Sequence, residues 1–311
     1  MTFLIWRLHR THAIISAVAI SVIVAVLVPT GIAIANSYHH AVTSCSVNHV
    51  GCAGIASTVF GNVAVLMDLV QVAALAVPLV LGISWGAPLV AGEFEASTED
   101  FAWTQGVTRR RWVLTNIGWA LLAAAAWGGA LAALFTWWRG PANAVFGPVE
   151  LLSFDIQGVA PVAYAVFAMA LGIAVGALFR RVVPAITTTL VVFAALRLVT
   201  ALVLRKDLAV SKNVSPLANV PALAWGLGSK YISPSGAIAN GTTGTSAACA
   251  NVAGGPQAAL SCLAAHGYHQ HMTYLPTSRF WPVQGAEAGI FAILALALAI
   301  FTYWWVTTRE V

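Results

Sequence analysis

Charge is what this chain has least of. Its 311 residues include only 15 Lys and Arg and 10 Asp and Glu, which is 8% charged; a soluble domain carries roughly 25%. A surface so poor in charge is not solvated by water, which excludes an ordinary soluble enzyme. Nucleic-acid binding is excluded too, because the net charge of +5 comes from short basic clusters scattered between apolar runs. Catalytic signatures are missing as well. There is no G-x-x-x-x-G-K-[ST], no H-E-x-x-H and no G-x-S-x-G, so any ATP hydrolysis has to occur on another polypeptide. No internal repeat is visible, which argues against the pseudo-symmetric build of many secondary transporters.

What is present is hydrocarbon. Hydrophobic residues make up 59% of the chain, and the mean hydropathy is +0.84. Six runs reach the ~20 residues needed to cross a bilayer: Ala13–Ala35, Asn62–Val90, Val113–Trp138, Val159–Phe179, Val182–Leu204 and Val283–Val306. The expected fold class is therefore an all-α integral membrane protein with six transmembrane helices and a lipid bilayer as its solvent. Pro29, Pro78, Pro88, Pro161 and Pro184 fall inside these runs. Neighbouring helices can satisfy the backbone groups they free. The second run exceeds the bilayer thickness, so its end protrudes or it tilts.

Orientation follows from Lys and Arg in short loops. Arg7 and Arg10, Arg109 to Arg111, Arg180 and Arg181, and Arg309 all fall on one side. This places both termini in the cytoplasm and the chain in a multi-pass arrangement in the inner (cytoplasmic) membrane. The N-terminal stretch ends in Ala33-Ile34-Ala35, which imitates a signal-peptide cleavage site, but its apolar run exceeds the ~7–15 residues of a signal core.

All four cysteines fall in expected outer loops, Cys45 and Cys52 in the first and Cys249 and Cys262 in the last. Disulfides persist outside the reducing cytosol. Four cysteines allow three pairings; pairing within each loop is the first expectation, and free thiols are the alternative. His39, His40 and His49, and His266, His269 and His271, share these loops. Nothing in their spacing sets a coordination geometry, so no metal site is assigned.

The chain reads as a single transmembrane domain over 1–311 with three non-spanning parts. Residues 1–12 mix Arg and His with Phe3, Leu4, Ile5 and Trp6, and they form either an interfacial lead-in helix or an extension of the first span. Residues 205–282 form the long outer region, in which Leu217–Leu227 is long enough for a short re-entrant helix and too short to cross. The cytoplasmic segment 91–112 carries Glu93, Glu95, Glu99 and Asp100, then Phe101, Trp103, Gln105 and Arg109. Ser97 and Thr108 are placed to cap helices and Gly106 to end one. Dense charge of both signs beside exposed aromatics suits the docking of another protein.

Ionisable groups inside spans are costly and are functional candidates by default. Asp68, Arg197 and Glu287 lie at one depth, ~9–10 Å below the expected outer surface at about 1.5 Å per residue. They are expected to form a charge cluster that either fixes helix packing or gates a path.

Gly86-Ala87-Pro88-Leu89-Val90-Ala91, Glu93-Phe94-Glu95 and Ala102-Trp103-Thr104-Gln105-Gly106-Val107-Thr108-Arg109 together resemble the permeases of actinobacterial ABC-2 type exporters. Tyr274-Leu275-Pro276, Ser278-Arg279-Phe280-Trp281-Pro282 and Glu287-Ala288-Gly289 add to the likeness. Gly92 departs from it, since a basic residue is usual there, and Ser97, Glu99 and Asp100 make the spacer more acidic. The resemblance implies a six-span exporter permease with an amphipathic lead-in helix, re-entrant helices before the last span, and a coupling helix between spans two and three. It implies a homodimer, or pairing with a similar permease, bound to two copies of a separate ATPase. ATP and Mg2+ would then sit on that partner, with no cofactor in this chain. A membrane sensor or regulatory protein without transport is the alternative, and an intramembrane enzyme is a third reading that lacks converging catalytic groups.

Overall fold

The computed structural model describes residues 2–48, 54–95, 108–207, 210–214, 223–236, 238–239, 249 and 255–308. The chain is a mostly helical integral membrane protein with six helical segments long and apolar enough to cross a bilayer: Ser21–Ser46, Ala64–Glu95, Arg110–Trp138, Ala160–Phe179, Val182–Val203 and Thr277–Thr308. It divides into two compact units, one comprising Met1–Val145, Leu151–Leu198 and Gln284–Val311, the other Phe146–Glu150 and Val199–Val283.

In the first unit, α1 runs unbroken from Thr2 to Asn48. At about 1.5 Å per residue its 47 residues reach ~70 Å, far beyond a bilayer's hydrocarbon. No break separates residues 2–12 from the first span. After the short α2 (Ile55–Phe60), α3 (Ala64–Leu81) leads through a π-helical turn, Gly82–Gly86, into α4 (Ala87–Glu95). The wide turn has a cause in the sequence. Pro88 lacks the N–H that would bond one turn back, and its ring crowds that turn. Ala87 N–H instead reaches back to the Gly82 carbonyl.

Next come α5 (Arg109–Trp138), α6 (Gly140–Phe146) and α7 (Leu151–Phe154). Thr108 caps α5 as its position suggests, its side chain accepting from Arg111 N–H at 3.4 Å. Helix α8 (Ala160–Phe179) is the core of the unit, buried along nearly its whole length by small residues and Tyr164, Phe167 and Met169. Pro161 starts it, and Arg180 ends it in the left-handed conformation at φ 54°. The last spans are α9 (Val182–Val199), which passes into a second π-helical turn at Thr200–Leu204, and a C-terminal helix (Phe280–Thr308).

Backbone approaches backbone where Gly82 and Gly86 meet α8. A Cβ on Gly82 would lie 2.6 Å from the Ala168 carbonyl, and one on Gly86 2.7 Å from that of Met169. Across the same contact, a Cβ on Gly176 would lie 2.6 Å from the Ala87 carbonyl. Without a hydrophobic drive between helices in lipid, this small-residue packing is the main route to tight association.

The second unit departs from expectation. Besides the short α10 (Arg205–Asp207) and α11 (Gly255–Ala265), it contains a four-stranded antiparallel sheet: β1 (Val210–Val214), β2 (Trp225–Ile232), β3 (Ile238–Ala239) and β4 (His269–Leu275), in the order β1-β4-β2-β3. The C-terminal helix, numbered α12 from here, follows a 3-10 turn at Thr277–Arg279. The re-entrant helix expected at Leu217–Leu227 is not supported where it is described. Trp225 to Leu227 begin β2, and residues 217–222 lie outside the described residues. Gly226 and Gly228, poor helix formers, flank a bulge in the β2–β4 pairing.

Cys249 and Cys262 form a disulfide. Cys45 is also disulfide-bonded, while Cys52 lies outside the described residues.

Candidate functional site

Four buried polar residues of the first unit, Asp155, Gln157, Gln284 and Glu287, lie near one end of α8. Arg197, on the last turn of α9, places Nη2 2.8 Å from Asp155 Oδ2 and Nη1 3.9 Å from Glu287 Oε2. Its guanidinium stacks over the Tyr164 ring at 3.7 Å from the centroid, and the Tyr164 hydroxyl donates to Glu287 Oε2 at 2.5 Å. Phe291 meets Tyr164 edge-on, with centroids 4.9 Å apart. Glu287 is fully buried and Asp155 is 8% exposed. Each carboxylate therefore depends on the cation between them, since an unpaired buried charge costs several kcal/mol.

A neutral network surrounds this node. Gln284 Nε2 donates to the carbonyls of Phe154 (2.7 Å) and Gln157 (3.1 Å), and its Oε1 accepts from Ala160 N–H (2.8 Å). Asn143 and Gln157 exchange a pair of amide hydrogen bonds, the shorter 2.8 Å. Gly158 N–H donates to Thr136 Oγ1 at 3.1 Å. The loop bearing Asp155 is thus sewn to α5, α6 and α12, and the aspartate is held in place.

Of the three groups expected to share one depth, Arg197 and Glu287 lie 3.9 Å apart, and the second carboxylate beside Arg197 is Asp155. Asp68 is exposed and accepts from Gln71 Nε2 at 3.5 Å. The buried stripe of α3 runs through Met67, Gln71, Ala74 and Pro78, and Asp68 sits about 100° around from Met67. Asp155 was missed because it lies in a loop rather than a span; its apolar neighbours Phe154 and Ile156, both buried, were the available signal. Tyr164, Gln157 and Gln284 were missed because a single uncharged polar residue in an apolar run carries no pattern.

At the other end of α8, Glu95 closes α4. Its Oε2 accepts from Val182 N–H, the first residue of α9, at 3.0 Å. Beside it the Arg180 guanidinium lies 5.5 Å from the Phe94 ring centroid. Glu93 is half-buried on the same helix. Arg109 opens α5, while Glu99, Asp100, Phe101, Trp103 and Gln105 lie outside the described residues.

His269 and His271 lie on β4. His266 instead faces the disulfide, with Nδ1 3.7 Å from Cys249 Sγ and 3.8 Å from Cys262 Sγ.

A family model described as ABC-2 membrane transporter related matches residues 17–205, more than half of the chain. The chain belongs to the ABC-2 membrane transporter related family. No curated protein and no solved structure matches it. As an ABC-2 membrane transporter related protein it has a permease-type transport role and is a transport subunit, not itself an enzyme; such permeases generally work with an ABC ATPase. The matched region contains Glu95, Asp155, Tyr164 and Arg197, and it ends before the sheet and Glu287.

Proposed function

We propose that this chain is the membrane subunit of an ATP-driven exporter in the cytoplasmic membrane, with both termini in the cytosol. Two permease chains, identical or similar, bind two copies of a separate ATPase, which carries the ATP and Mg2+. The observation that carries this reading is the helix from Ala64 to Glu95. It leads directly into the Glu- and Arg-rich segment and is keyed by backbone contact onto the buried α8. A displacement imposed on that segment by an ATPase therefore acts on the core of the permease, not on a loose loop. The charge node at the far end of α8 then serves as the part that holds the resting arrangement of α8, α9 and α12.

Purification of the tagged chain in mild detergent tests this. The expected outcome is a complex that hydrolyses ATP and is inhibited by vanadate, lost when Phe101 and Trp103 are both replaced by Ala. A chain that carries no ATPase through purification refutes the proposal.

One observation favours the sensor reading. Phe146–Glu150 and Val199–Val283 form a compact unit with a sheet and a disulfide, the sort of folded domain a receptor displays. The same purification separates the two, because a sensor has no need of a vanadate-sensitive partner.

A further inference from the structure

Helix α9 begins without a cap of its own. The residues before Val182 are Arg180 and Arg181, and Arg181 stands at the N-cap, its carbonyl accepting from Ala185 N–H at 3.2 Å. An arginine side chain has no acceptor for the orphan N–H groups of a first turn. The missing acceptor comes from another span: Glu95 Oε2 takes the Val182 N–H at 3.0 Å. The carboxylate also faces the positive end of the helix dipole. Phe94 against Arg180 adds a second contact at the same joint.

The position of this cap matters more than its strength. Glu95 is the final residue of α4, and residues 96–107 follow it in the sequence. Fifteen residues along α9 from Val182, about 22 Å at helical rise, Arg197 holds Asp155 and Glu287. A single helix thus connects the end of the coupling segment to the buried charge node.

We infer that Glu95 is a positioning residue: it links the coupling segment to α9, so that movement of the segment shifts α9 and disturbs the Arg197 node at the opposite end. This rests on the exporter reading above.

The test uses the permease purified with its ATPase and reconstituted in lipid nanodiscs. Leu198→Cys, an exposed site beside Arg197, carries an environment-sensitive fluorophore; among the described residues no cysteine is free. ATP with vanadate is expected to shift the emission of the otherwise wild-type complex. Glu95→Ala should abolish the shift while the ATPase is retained. Glu95→Gln, which keeps an acceptor for Val182 N–H, should preserve it. Arg181→Ser gives α9 a side-chain cap of its own. Glu95→Ala with Arg181→Ser should therefore regain the wild-type melting temperature and still show no shift. If the shift returns with the melting temperature, Glu95 only caps α9 and the inference is overturned. It is equally overturned if Glu95→Ala responds as wild type, if Glu95→Gln is as silent as Ala, or if Glu95→Ala releases the ATPase. Failure of the exporter reading would show earlier and separately, as a wild-type chain that retains no ATPase.

Discussion

Arg197 lies between two carboxylates with an aromatic ring against its guanidinium face. Removing one partner of a buried pair leaves an uncompensated charge, at about 3–5 kcal/mol. Arg197→Met should therefore lower thermal stability in detergent by an amount of that order. Geometry also sets which exchange can rescue it. Asp155→Arg with Arg197→Asp should recover part of the loss, whereas Asp68→Arg with Arg197→Asp should recover none, since Asp68 is exposed on α3. Equal rescue by both would mean the 2.8 Å pairing with Asp155 is wrong. Tyr164→Phe isolates the hydroxyl bond to Glu287 and should cost about 1.5–3 kcal/mol, as for a hydrogen bond to a charged group. The same residues show how far a sequence reaches. An ionisable group in an apolar run stands out, as Asp68, Arg197 and Glu287 do. A carboxylate in a loop does not, because its burial depends on Gln284 of α12 and Asn143 of α6 bonding to that loop from elsewhere.

At the scale of elements, the spans were legible because a bilayer demands length and hydropathy, and both are local properties. The sheet was not. Its strands are short, three of them are separated by long stretches, and β4 pairs with both β1 and β2, so the pattern exists only after the chain has closed on itself. Cys249 and Cys262 were readable as a pair because they are 13 residues apart in one loop. The π-helical turn at Gly82–Gly86 was hidden as well, although Pro78, Pro88 and two glycines mark it in retrospect. Contact at this turn gives a sharp prediction. Gly86→Ala sets a methyl 2.7 Å from a backbone carbonyl, and such overpacking typically costs about 1–3 kcal/mol. Gly129→Ala, with nothing within 4 Å of its Cβ, should leave the melting temperature unchanged or slightly raised. A comparison of the two in thermal unfolding decides whether the π-helical turn and α8 touch as closely as described.

For the whole molecule, orientation is the property on which function turns. Arg110 stands at the start of α5 and Lys230 on β2, and the proposed arrangement puts them on opposite sides of the membrane. In sealed right-side-out vesicles, an impermeant maleimide should modify Lys230→Cys and spare Arg110→Cys until the bilayer is opened. The reverse pattern would invert the chain and move the ATPase-facing segment to the wrong compartment.

The burial of α8 has a further consequence for traffic through the molecule. Its axis is already filled, from Ala160 to Ala177, by side chains packed against the surrounding spans. Among the described residues of the first unit, opening a lane along this axis would mean displacing the helix that the surrounding spans pack against. On the proposed two-copy reading, cargo passes along the flank of a copy, on a wall completed by a second polypeptide, and a compound that wedges between copies should stall the flow without touching either core.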